Sequence, residues 1–346
     1  MFDKNKKVSR RNVLQIGAAG VFAFLGSTLL NPGSLFQKTA QAQGKHEVHA
    51  AMQKELHAGM QHGYDPGTEV TDGFKAAQKA LTTFDYGKVS STPDGRSIRE
   101  YEVTAYEAEV EIAKGIKFPG WTFNGSIPGP TFRCTEGDFV RFKFINASTH
   151  PHSMHFHGIH PTNMDGLESV LPGQSFTYEF EAKPAGMQLY HCHVFPLARH
   201  IHKGLYGNFI IDPKKPRAAA KEFSMVMNGF DLDLDGENEV YTVNGYAFAY
   251  QQEPIRVRVG ELVRIYLSNF TEFDPINSFH LHANFFNYYA TGADPEARPY
   301  YTDNIMLCQG ERGILEITFP SAGRYMFHAH QSEFAELGWM GFFLAE

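Results

Sequence analysis

Apolar and polar residues alternate along several stretches of the chain, which is the pattern of strands that bury one face. Val140, Phe142 and Phe144 alternate with basic residues, and residues 255–267 repeat the same pattern. A period of two residues predicts half-buried strands, which we expect to pair in antiparallel sheets. From about Tyr101 onward these stretches are short and are separated by glycine and proline, so the sequence predicts an all-β protein.

The β-rich part of the chain contains one series of motifs twice. The matching motifs are Asn124-Gly125 with Asn244-Gly245, Gly137-Asp138 with Gly260-Glu261, Asn146 with Asn269, and 184–193 with 320–330. Each copy has about the length of one β-sandwich domain, roughly 100 residues. The repeat therefore predicts two tandem sandwiches, residues 101–212 and 223–346, joined by a linker at 213–222.

The first 42 residues have the composition of an export signal. Basic residues including Arg10 and Arg11 precede an apolar run from 13 to about 30, and small residues at 40–42 end the segment. This order is typical of a secretory signal, and the paired arginines resemble the twin-arginine signal that exports folded proteins. Glycines weaken the run as a membrane span. We therefore expect cleavage after residue 42, the twin-arginine export machinery as a partner, and a periplasmic or extracellular location.

Residues 43–100 separate this signal from the repeats and show no clear strand pattern. The segment begins with a cluster of potential copper ligands: His46, His49, Met52, His57, Met60 and His62. Imidazole and thioether groups bind copper well. The composition nevertheless favours a solvated, partly helical arm.

Histidine is abundant, with 17 in the chain, and eight of them form four His-x-His pairs at equivalent places in the two repeats. The pairs are His155/His157, His191/His193, His280/His282 and His328/His330. Residues i and i+2 of a strand share a face, so each pair can present two imidazoles to one metal site. Eight imidazoles would make a poor apolar core, and the pattern therefore predicts metal binding.

Cys192 stands between two of these histidines, so strand alternation turns its sulfur to the opposite face. Together with His152 and His200 it forms a His₂Cys set, the ligand chemistry of a blue-copper electron-transfer site. His202 is an alternative to His200. Leu205 stands where the weak axial methionine would be, and an aliphatic residue there favours Cu(I).

The second repeat lacks this site, because Asn277 replaces the equivalent of His152 and Ala329 replaces the cysteine. Cys134 and Cys308 fall in different repeats, so no disulfide is expected between them. A run of acidic residues resembles the start of a calcium loop, but its twelfth position is Thr242, and we interpret it as an acidic turn. The run consists of Asp231, Asp233, Asp235 and Gly236.

Charge and cysteine content exclude two classes of protein. The chain has 31 basic and 38 acidic residues, a net charge of −7, which argues against a nucleic-acid partner because such proteins need a basic face. Three cysteines are too few for a disulfide scaffold. We therefore interpret the sequence as that of an exported protein rich in histidine.

These motifs resemble those of multicopper oxidases, specifically two-domain, laccase-like members with the mononuclear copper in the first domain. The resemblance covers about 101–346 and rests on Pro128-Gly129-Pro130-Thr131, Gly137-Asp138, 152–158, Met164-Asp165-Gly166 and the two segments ending at Gly207 and Gly341. It implies two cupredoxin-like Greek-key β-sandwich domains. It also implies about four coppers per chain: one type 1, and a trinuclear cluster of one type 2 and two type 3 held by the eight paired histidines. The resemblance further implies a homotrimer, with each cluster between the first domain of one subunit and the second domain of the next, a contact that closes as a ring.

The resemblance implies a laccase-like reaction. A small phenolic or metal-ion donor gives electrons one at a time to the type 1 copper, and four electrons reduce O₂ to two waters. Because Cys192 is the chain neighbour of two cluster histidines, the polypeptide is a short electron path. Asp165 resembles the family's acidic residue near the cluster and is expected to deliver protons, with Glu333, three residues after His330, as a second candidate.

Two alternatives stay open. Copper-containing nitrite reductases share the two-domain trimer and the first-domain blue site. They hold a mononuclear type 2 copper, however, and the family's aspartate falls where this chain has His155. A non-catalytic exported scaffold or copper-binding protein of the same fold would be expected to have lost ligands, and none of the expected set is missing.

Overall fold

A computed structural model describes residues 70–91, 95, 97–294 and 296–346. The signal predicted at 1–42 and the histidine- and methionine-containing cluster at 46–62 lie outside the described residues. In the part of the chain that the structure describes, no helix is both long and apolar enough to cross a membrane.

The first β-sandwich consists of strands between residues 88 and 212. They are β1 (Lys88–Ser91), β2 (Ser97–Ala113), β3 (Ile116–Phe123), β4 (Phe132–Thr135), β5 (Phe139–Asn146), β6 (His155–Phe156), β7 (Ser175–Glu181), β8 (Gly186–His191) and β9 (Tyr206–Asp212). One sheet has the order β1-β2-β5-β7, with β3 also paired to β2, and the other has the order β4-β9-β8-β6. β5 runs parallel to β2 and antiparallel to β7, so the sheet is mixed where we expected antiparallel pairing.

Alternation along β5 follows the sequence pattern. Val140, Phe142 and Phe144 are fully buried, whereas Lys143 is exposed. Phe142 stacks on Tyr101 with ring centroids 4.5 Å apart. Each such aromatic ring stabilises the fold by about 1.5–3 kcal/mol through burial of apolar surface, so the core between the two sheets is built largely from aromatic rings.

The second β-sandwich consists of strands between residues 221 and 345. They are β10 (Lys221–Phe230), β11 (Val240–Val243), β12 (Ile255–Val257), β13 (Leu262–Asn269), β14 (Ile276–Leu281), β15 (Phe286–Ala290), β16 (Tyr300–Thr302), β17 (Asn304–Cys308), β18 (Arg312–Thr318), β19 (Gly323–His328) and β20 (Met340–Ala345). Their orders are β11-β10-β13-β18-β15-β16 and β12-β20-β19-β14-β17. The prediction of an all-β fold with two tandem sandwiches is confirmed.

Four short α-helices and one 3-10 helix (Thr162–Met164) connect or flank the described strands. The α-helices are α1 (Asp72–Thr82), α2 (Leu197–His202), α3 (Ala249–Gln252) and α4 (Ser332–Glu336). α1 begins where the Thr71 side chain accepts a hydrogen bond from the backbone N–H of Phe74, which satisfies an otherwise free donor of the first turn. The apolar face of α1 is buried in the same core as the second sandwich. The end of the expected solvated arm therefore packs into the protein, and β1 joins the first sheet.

The internal repeat appears in the structure as matching turns. Asn124 (φ 56°) and Gly125 (φ 83°) follow β3, and Asn244 (φ 58°) and Gly245 (φ 80°) follow β11. Two consecutive residues with positive φ are the reason why Asn-Gly stands at both places, since these residue types tolerate that conformation.

An ionic cluster joins the two sandwiches beside the linker. Arg133 of β4 contacts Asp212 at 2.8 Å and Glu222 of β10 at 2.7 Å, and Arg264 of β13 contacts Glu222 at 3.2 Å and Glu316 at 2.7 Å. Burial of Arg264 was not expected, because alternation places it on the polar face of β13. The surrounding carboxylates pair with the Arg264 charge and so offset the free-energy cost of removing it from water.

Candidate metal centre

The three predicted blue-copper ligands lie together inside the first sandwich. His152 precedes β6, Cys192 follows β8, and His200 lies in α2. The Cys192 Sγ atom is 3.2 Å from His200 Nδ1 and 3.9 Å from His152 Nδ1, and the two Nδ1 atoms are 3.2 Å apart. All three side chains are buried. One small cation fits between these atoms, and a His₂Cys donor set suits copper.

His200, and not His202, belongs to this group. The ring of His202 packs edge-on against Phe118 at 5.3 Å, and its Nε2 atom accepts a hydrogen bond from the backbone N–H of Asp231 at 3.1 Å. Leu205 is fully buried in the same core cluster as Cys192, and its carbonyl accepts a hydrogen bond from the Cys192 N–H at 2.9 Å. Its assignment as the axial residue stays a prediction.

Burial prepares these side chains for a metal cation. It lowers the pKa of His152 to about 3 and that of His200 to about 4, so both imidazoles are neutral and have lone pairs to donate. Burial raises the pKa of the Cys192 thiol to about 11, and the backbone N–H of Ser153 points at its sulfur from 3.4 Å. A bound cation would replace the thiol proton, which couples metal binding to proton release.

Four histidine rings form the first of two imidazole groups. The His155 ring centroid lies 5.3 Å from that of His157, 5.0 Å from that of His191 and 5.2 Å from that of His193. The Nε2 atoms of His157 and His191 are 3.2 Å apart. Pairing of β6 with β8 places His155 directly opposite His191. We call these four residues the first-domain half-site.

The second sandwich repeats this arrangement. The His280 ring centroid lies 4.9 Å from that of His282, 5.4 Å from that of His328 and 5.2 Å from that of His330. The Nε2 atoms of His282 and His328 are 2.8 Å apart, and β14 places His280 opposite His328. His282 and His330 are exposed, so this second-domain half-site is open to solvent.

Main-chain carbonyls fix the orientation of four of these rings. Nδ1 of His155 donates to Asp165 O at 2.7 Å, and Nδ1 of His280 donates to Asp303 O at 2.9 Å. In the same way, Nδ1 of His191 donates to the carbonyl of residue 192 at 3.0 Å, and Nδ1 of His328 donates to that of residue 329 at 2.5 Å. A proton held on Nδ1 leaves the Nε2 lone pair free for a metal.

Asp165 lies directly behind the first-domain half-site. Its Oδ1 atom is 3.3 Å from His155 Nδ1 and 3.7 Å from His160 Nε2. Gly166 (φ 77°) lets the loop that carries Asp165 pass close to the main chain before His155, because a Cβ at position 166 would lie 2.0 Å from the carbonyl oxygen of Met154. Glu333, the second candidate for proton delivery, is exposed in α4.

Two residues at these sites were not identified from the sequence. Asp303 stands behind His280 as Asp165 stands behind His155, with its Oδ2 atom 3.9 Å from His280 Nδ1. Trp121 contacts the rings of both His152 and His200, with centroids 5.2 and 4.9 Å away. Neither residue has a fixed sequence spacing from the histidines that would have revealed it.

The two half-sites are separate within one chain. Over the described residues, neither a hydrogen bond nor a ring contact joins a histidine of the first half-site to one of the second. Phe270, from the second sandwich, lies 6.1 Å from the His191 ring. Each half-site therefore lacks the other half of an eight-histidine set.

The acidic run at 231–236 and the two cysteines outside the copper-ligand group are also in the described part of the chain. Asp231 accepts hydrogen bonds from the N–H groups of Leu234, Asp235 and Gly236, so these residues form a turn. Carboxylates of Asp231, Asp233, Asp235 and Glu239 lie within 4.8 Å of one another. Cys134 is buried in the first sandwich, Cys308 is exposed in the second, and both are free thiols.

Comparison with known proteins agrees with the arrangement of the site. Residues 104–216 and 221–346 each match a multicopper oxidase domain family. A solved structure described as a multicopper oxidase is 54% identical with a TM-score of 0.77, covering 78% of this chain and 96% of that one. A copper nitrite reductase from Nitrosomonas europaea is 28% identical with a TM-score of 0.66, covering 72% of this chain and 94% of that one.

Among curated proteins, the copper-containing nitrite reductase of Neisseria meningitidis is 32% identical over 205 residues, 52% of each chain. This chain therefore matches about half the length of that relative. The two domain matches together cover most of the chain, and the neighbouring structures share its two sandwiches, which confirms the predicted cupredoxin-type fold. The chain belongs to the multicopper oxidase family.

Proposed function

We propose that this protein is a laccase-like copper oxidase. It couples one-electron oxidation of a phenolic or metal-ion donor at a type 1 copper to four-electron reduction of O₂ to water at a trinuclear cluster. The observation that carries this proposal is the complete set of eight histidines in two matching half-sites. A twin-arginine signal would deliver the folded protein to the periplasm or the exterior.

The chain's own residues have distinct roles in this proposal. Copper, when bound, supplies the one-electron redox steps and the place where O₂ is reduced. His152, Cys192 and His200 would hold the type 1 ion, with Leu205 as its aliphatic axial neighbour. The backbone from Cys192 to His191 and His193 links that site covalently to the first-domain half-site.

Asp165 would handle protons for this reaction. Its Oδ1 atom, close to His155 and His160, can hold a proton within reach of water at the half-site. Its carbonyl meanwhile orients His155. One residue thus holds a ligand in place through its main chain and serves proton delivery through its side chain.

The separation of the half-sites supports the proposed homotrimer. A head-to-tail ring would place the first-domain half-site of one subunit against the second-domain half-site of the next. Both surfaces offer apolar side chains beside their histidines. Phe195, 81% exposed, packs against the His193 ring, and the ring of exposed Phe285 lies 5.2 Å from that of Tyr301 in the pocket that His282 lines. An interface between the two half-sites would bury these exposed side chains.

A second candidate function is nitrite reduction, which the relatives from Neisseria meningitidis and Nitrosomonas europaea favour. Against it stands His155, where we expect an aspartate in that family. A mononuclear type 2 site would also leave several of the eight imidazoles without a role.

Copper content and substrate assays on the copper-loaded protein distinguish the two functions. We expect about four coppers per chain, an intense copper–thiolate absorption band and oxygen uptake with a phenolic donor. About two coppers per chain, with nitrite-dependent release of nitric oxide and no oxygen uptake, would replace the oxidase by the reductase.

Subunit mixing tests where the cluster forms. A His157→Ala variant lacks part of the first half-site, and a His282→Ala variant lacks part of the second. Each alone should be inactive, whereas an equal mixture of co-expressed chains should regain about a quarter of the wild-type activity, because a ring pairs two intact halves at one junction in four. No recovery in mixed trimers would place each cluster within one chain.

A further inference from the structure

Trp121 separates the buried His152–Cys192–His200 group from a pocket on the surface. Its indole is only 5% exposed and packs edge-on against the rings of both His152 and His200. Its backbone N–H donates to Lys203 O at 2.8 Å, which fixes β3 against the end of α2. The same indole lines the pocket. One side chain therefore touches both imidazoles and borders solvent-accessible space.

The two imidazoles themselves are out of reach of a donor. His152 is 0% and His200 is 3% exposed. A reductant in solution therefore meets Trp121 or its neighbours before it meets either ring. An electron must cross protein at this point, and Trp121 is a pocket-lining aromatic ring that packs on both imidazoles.

The pocket has the size and lining for a small aromatic molecule. Its volume is about 310 Å³, and its walls include Ala108, Pro119 and the indole of Trp121. This volume is at the lower end for ligand pockets, roughly 300 Å³ and above, which suits one ring better than several. Charged and polar groups also line the wall: Glu107, Glu109, His150, Arg199 and Lys203.

Glu107 is fixed as a hydrogen-bond acceptor. Partial burial alone would raise its pKa, but hydrogen bonds from Thr149 and Ser148 outweigh that effect and lower the pKa to about 2. Those bonds, and a 3.3 Å contact with His150, all reach Oε1. Within the described chain no hydrogen bond reaches Oε2, so this oxygen can accept one from a donor hydroxyl.

We propose that Trp121 is the electron bridge between a single-ring aromatic reductant bound in this pocket and the type 1 site. The inference rests on the proposed oxidase function and specifies how donors reach it. The bound phenol loses one electron and its hydroxyl proton. The electron passes through the indole to reduce Cu(II) to Cu(I), and the proton leaves to water through the pocket mouth.

The indole acts in this step without being oxidised itself. The Arg199 guanidinium lies over the Trp121 ring, 5.1 Å from its centroid. A neighbouring positive charge opposes removal of an electron from the ring, because the indole cation would be repelled by it. Trp121 therefore serves as a bridge and not as a radical intermediate.

A metal-ion donor fits this pocket less well. Such an ion needs several converging ligands, and Glu107, Glu109 and Lys203 of the wall already have hydrogen-bond partners. Lys203 Nζ donates to Pro119 O at 2.8 Å, and one oxygen of Glu107 is already occupied. Ala108, Pro119 and the indole of Trp121 supply the apolar part of the wall, which favours an aromatic ring.

Binding is tested without turnover on the copper-loaded protein, fully reduced and free of oxygen. The chain has two tryptophans, Trp121 and Trp339, so 5-fluorotryptophan labelling gives two fluorine NMR signals that the Trp339→Phe variant assigns. Hydroquinone should shift the Trp121 signal saturably and leave the signal of buried Trp339 unmoved. A Trp121 signal that does not respond would overturn the pocket assignment.

Electron transfer is tested by anaerobic stopped-flow reduction of the copper–thiolate band by hydroquinone. We expect Trp121→Phe to slow the reduction of this band roughly tenfold and Trp121→Leu to slow it roughly a hundredfold. The larger loss is what a displacement of about 1 Å between two reacting groups can cause. The reduction potential and the absorption band should stay unchanged, and the control Trp339→Phe should keep the wild-type rate.

Each outcome has one interpretation. An unchanged rate in Trp121→Leu would remove the bridge while leaving the oxidase intact. Fast reduction by Fe(II) in all variants, without any hydroquinone shift, would reject the aromatic donor class. A wild-type protein with no copper–thiolate band or oxygen uptake would instead remove the proposed function, whatever the fluorine signals show.

Discussion

Acidification of the copper-free protein should destabilise it through buried histidines. Burial lowers the pKa of His152 to about 3 and that of His191 to about 4. In the unfolded chain both return to an ordinary pKa of about 6.5. Between the folded and unfolded values only the unfolded chain binds these protons. The free energy of unfolding therefore rises with pH. The contribution of these two histidines is lost progressively as the pH falls below about 6.5.

The structure sets the size of this effect. At pH 5 each buried histidine lowers the free energy of unfolding by about 2 kcal/mol, and the two together by about 4 kcal/mol. That is a large part of the roughly 5–15 kcal/mol by which domains are stable. Glu239 acts in the opposite direction, because burial and neighbouring aspartates raise its pKa to about 7. A variant comparison is therefore needed.

Urea unfolding of the copper-free chain at pH 7 and pH 5, followed by far-ultraviolet circular dichroism, measures this loss. In His191→Asn the loss between the two pH values should be smaller than in the wild type by about 2 kcal/mol. His150→Asn, which removes a half-exposed imidazole, is the matched control. If His191→Asn loses as much stability on acidification as the wild type, the reasoning from buried neutral imidazoles is wrong.

Three further predictions concern single side chains. Cys192→Ser should abolish the copper–thiolate absorption band and oxygen uptake, and far-ultraviolet circular dichroism should show the fold retained. Phe142→Ala, which empties a fully buried position, should lower the free energy of unfolding by about 3–5 kcal/mol in urea titrations. Glu222→Gln, which breaks charge-assisted hydrogen bonds to Arg133 and Arg264, should lower it by about 2 kcal/mol. Its control Glu346→Gln, at an exposed ion pair, should change stability by less than about 1 kcal/mol.

The features predicted well from the sequence are those that depend on residues close together in the chain. The His-x-His pairs were predicted from the two-residue period of a strand, and the two rings of each pair do lie in one group. The second histidine of each pair and Cys192 nevertheless lie just beyond the strand ends, so the period located the ligands better than it located the strands. Asn124 and Asn244 likewise mark turns through their own backbone conformation.

The features missed depend on contacts between distant segments. Arg264 belongs to the polar face of its strand by alternation, yet it is buried because Glu222 and Glu316 come from other strands. The parallel pairing of β5 with β2 depends on which strand lies alongside, and alternation looks the same in either direction. Asp303 follows His280 by 23 positions, whereas Asp165 follows His155 by 10, so comparison of the repeats could not align them.

The carbonyl groups that orient the histidine rings make ligand geometry resistant to mutation. His191 is oriented by the main chain of Cys192, and His328 is oriented in the same way by the main chain of Ala329. The side chain at this position differs completely between the two repeats, while the hydrogen bond is the same. An orienting group that every amino acid carries cannot be lost by substitution. The duplicated domain could therefore lose its thiol while its imidazoles kept their alignment.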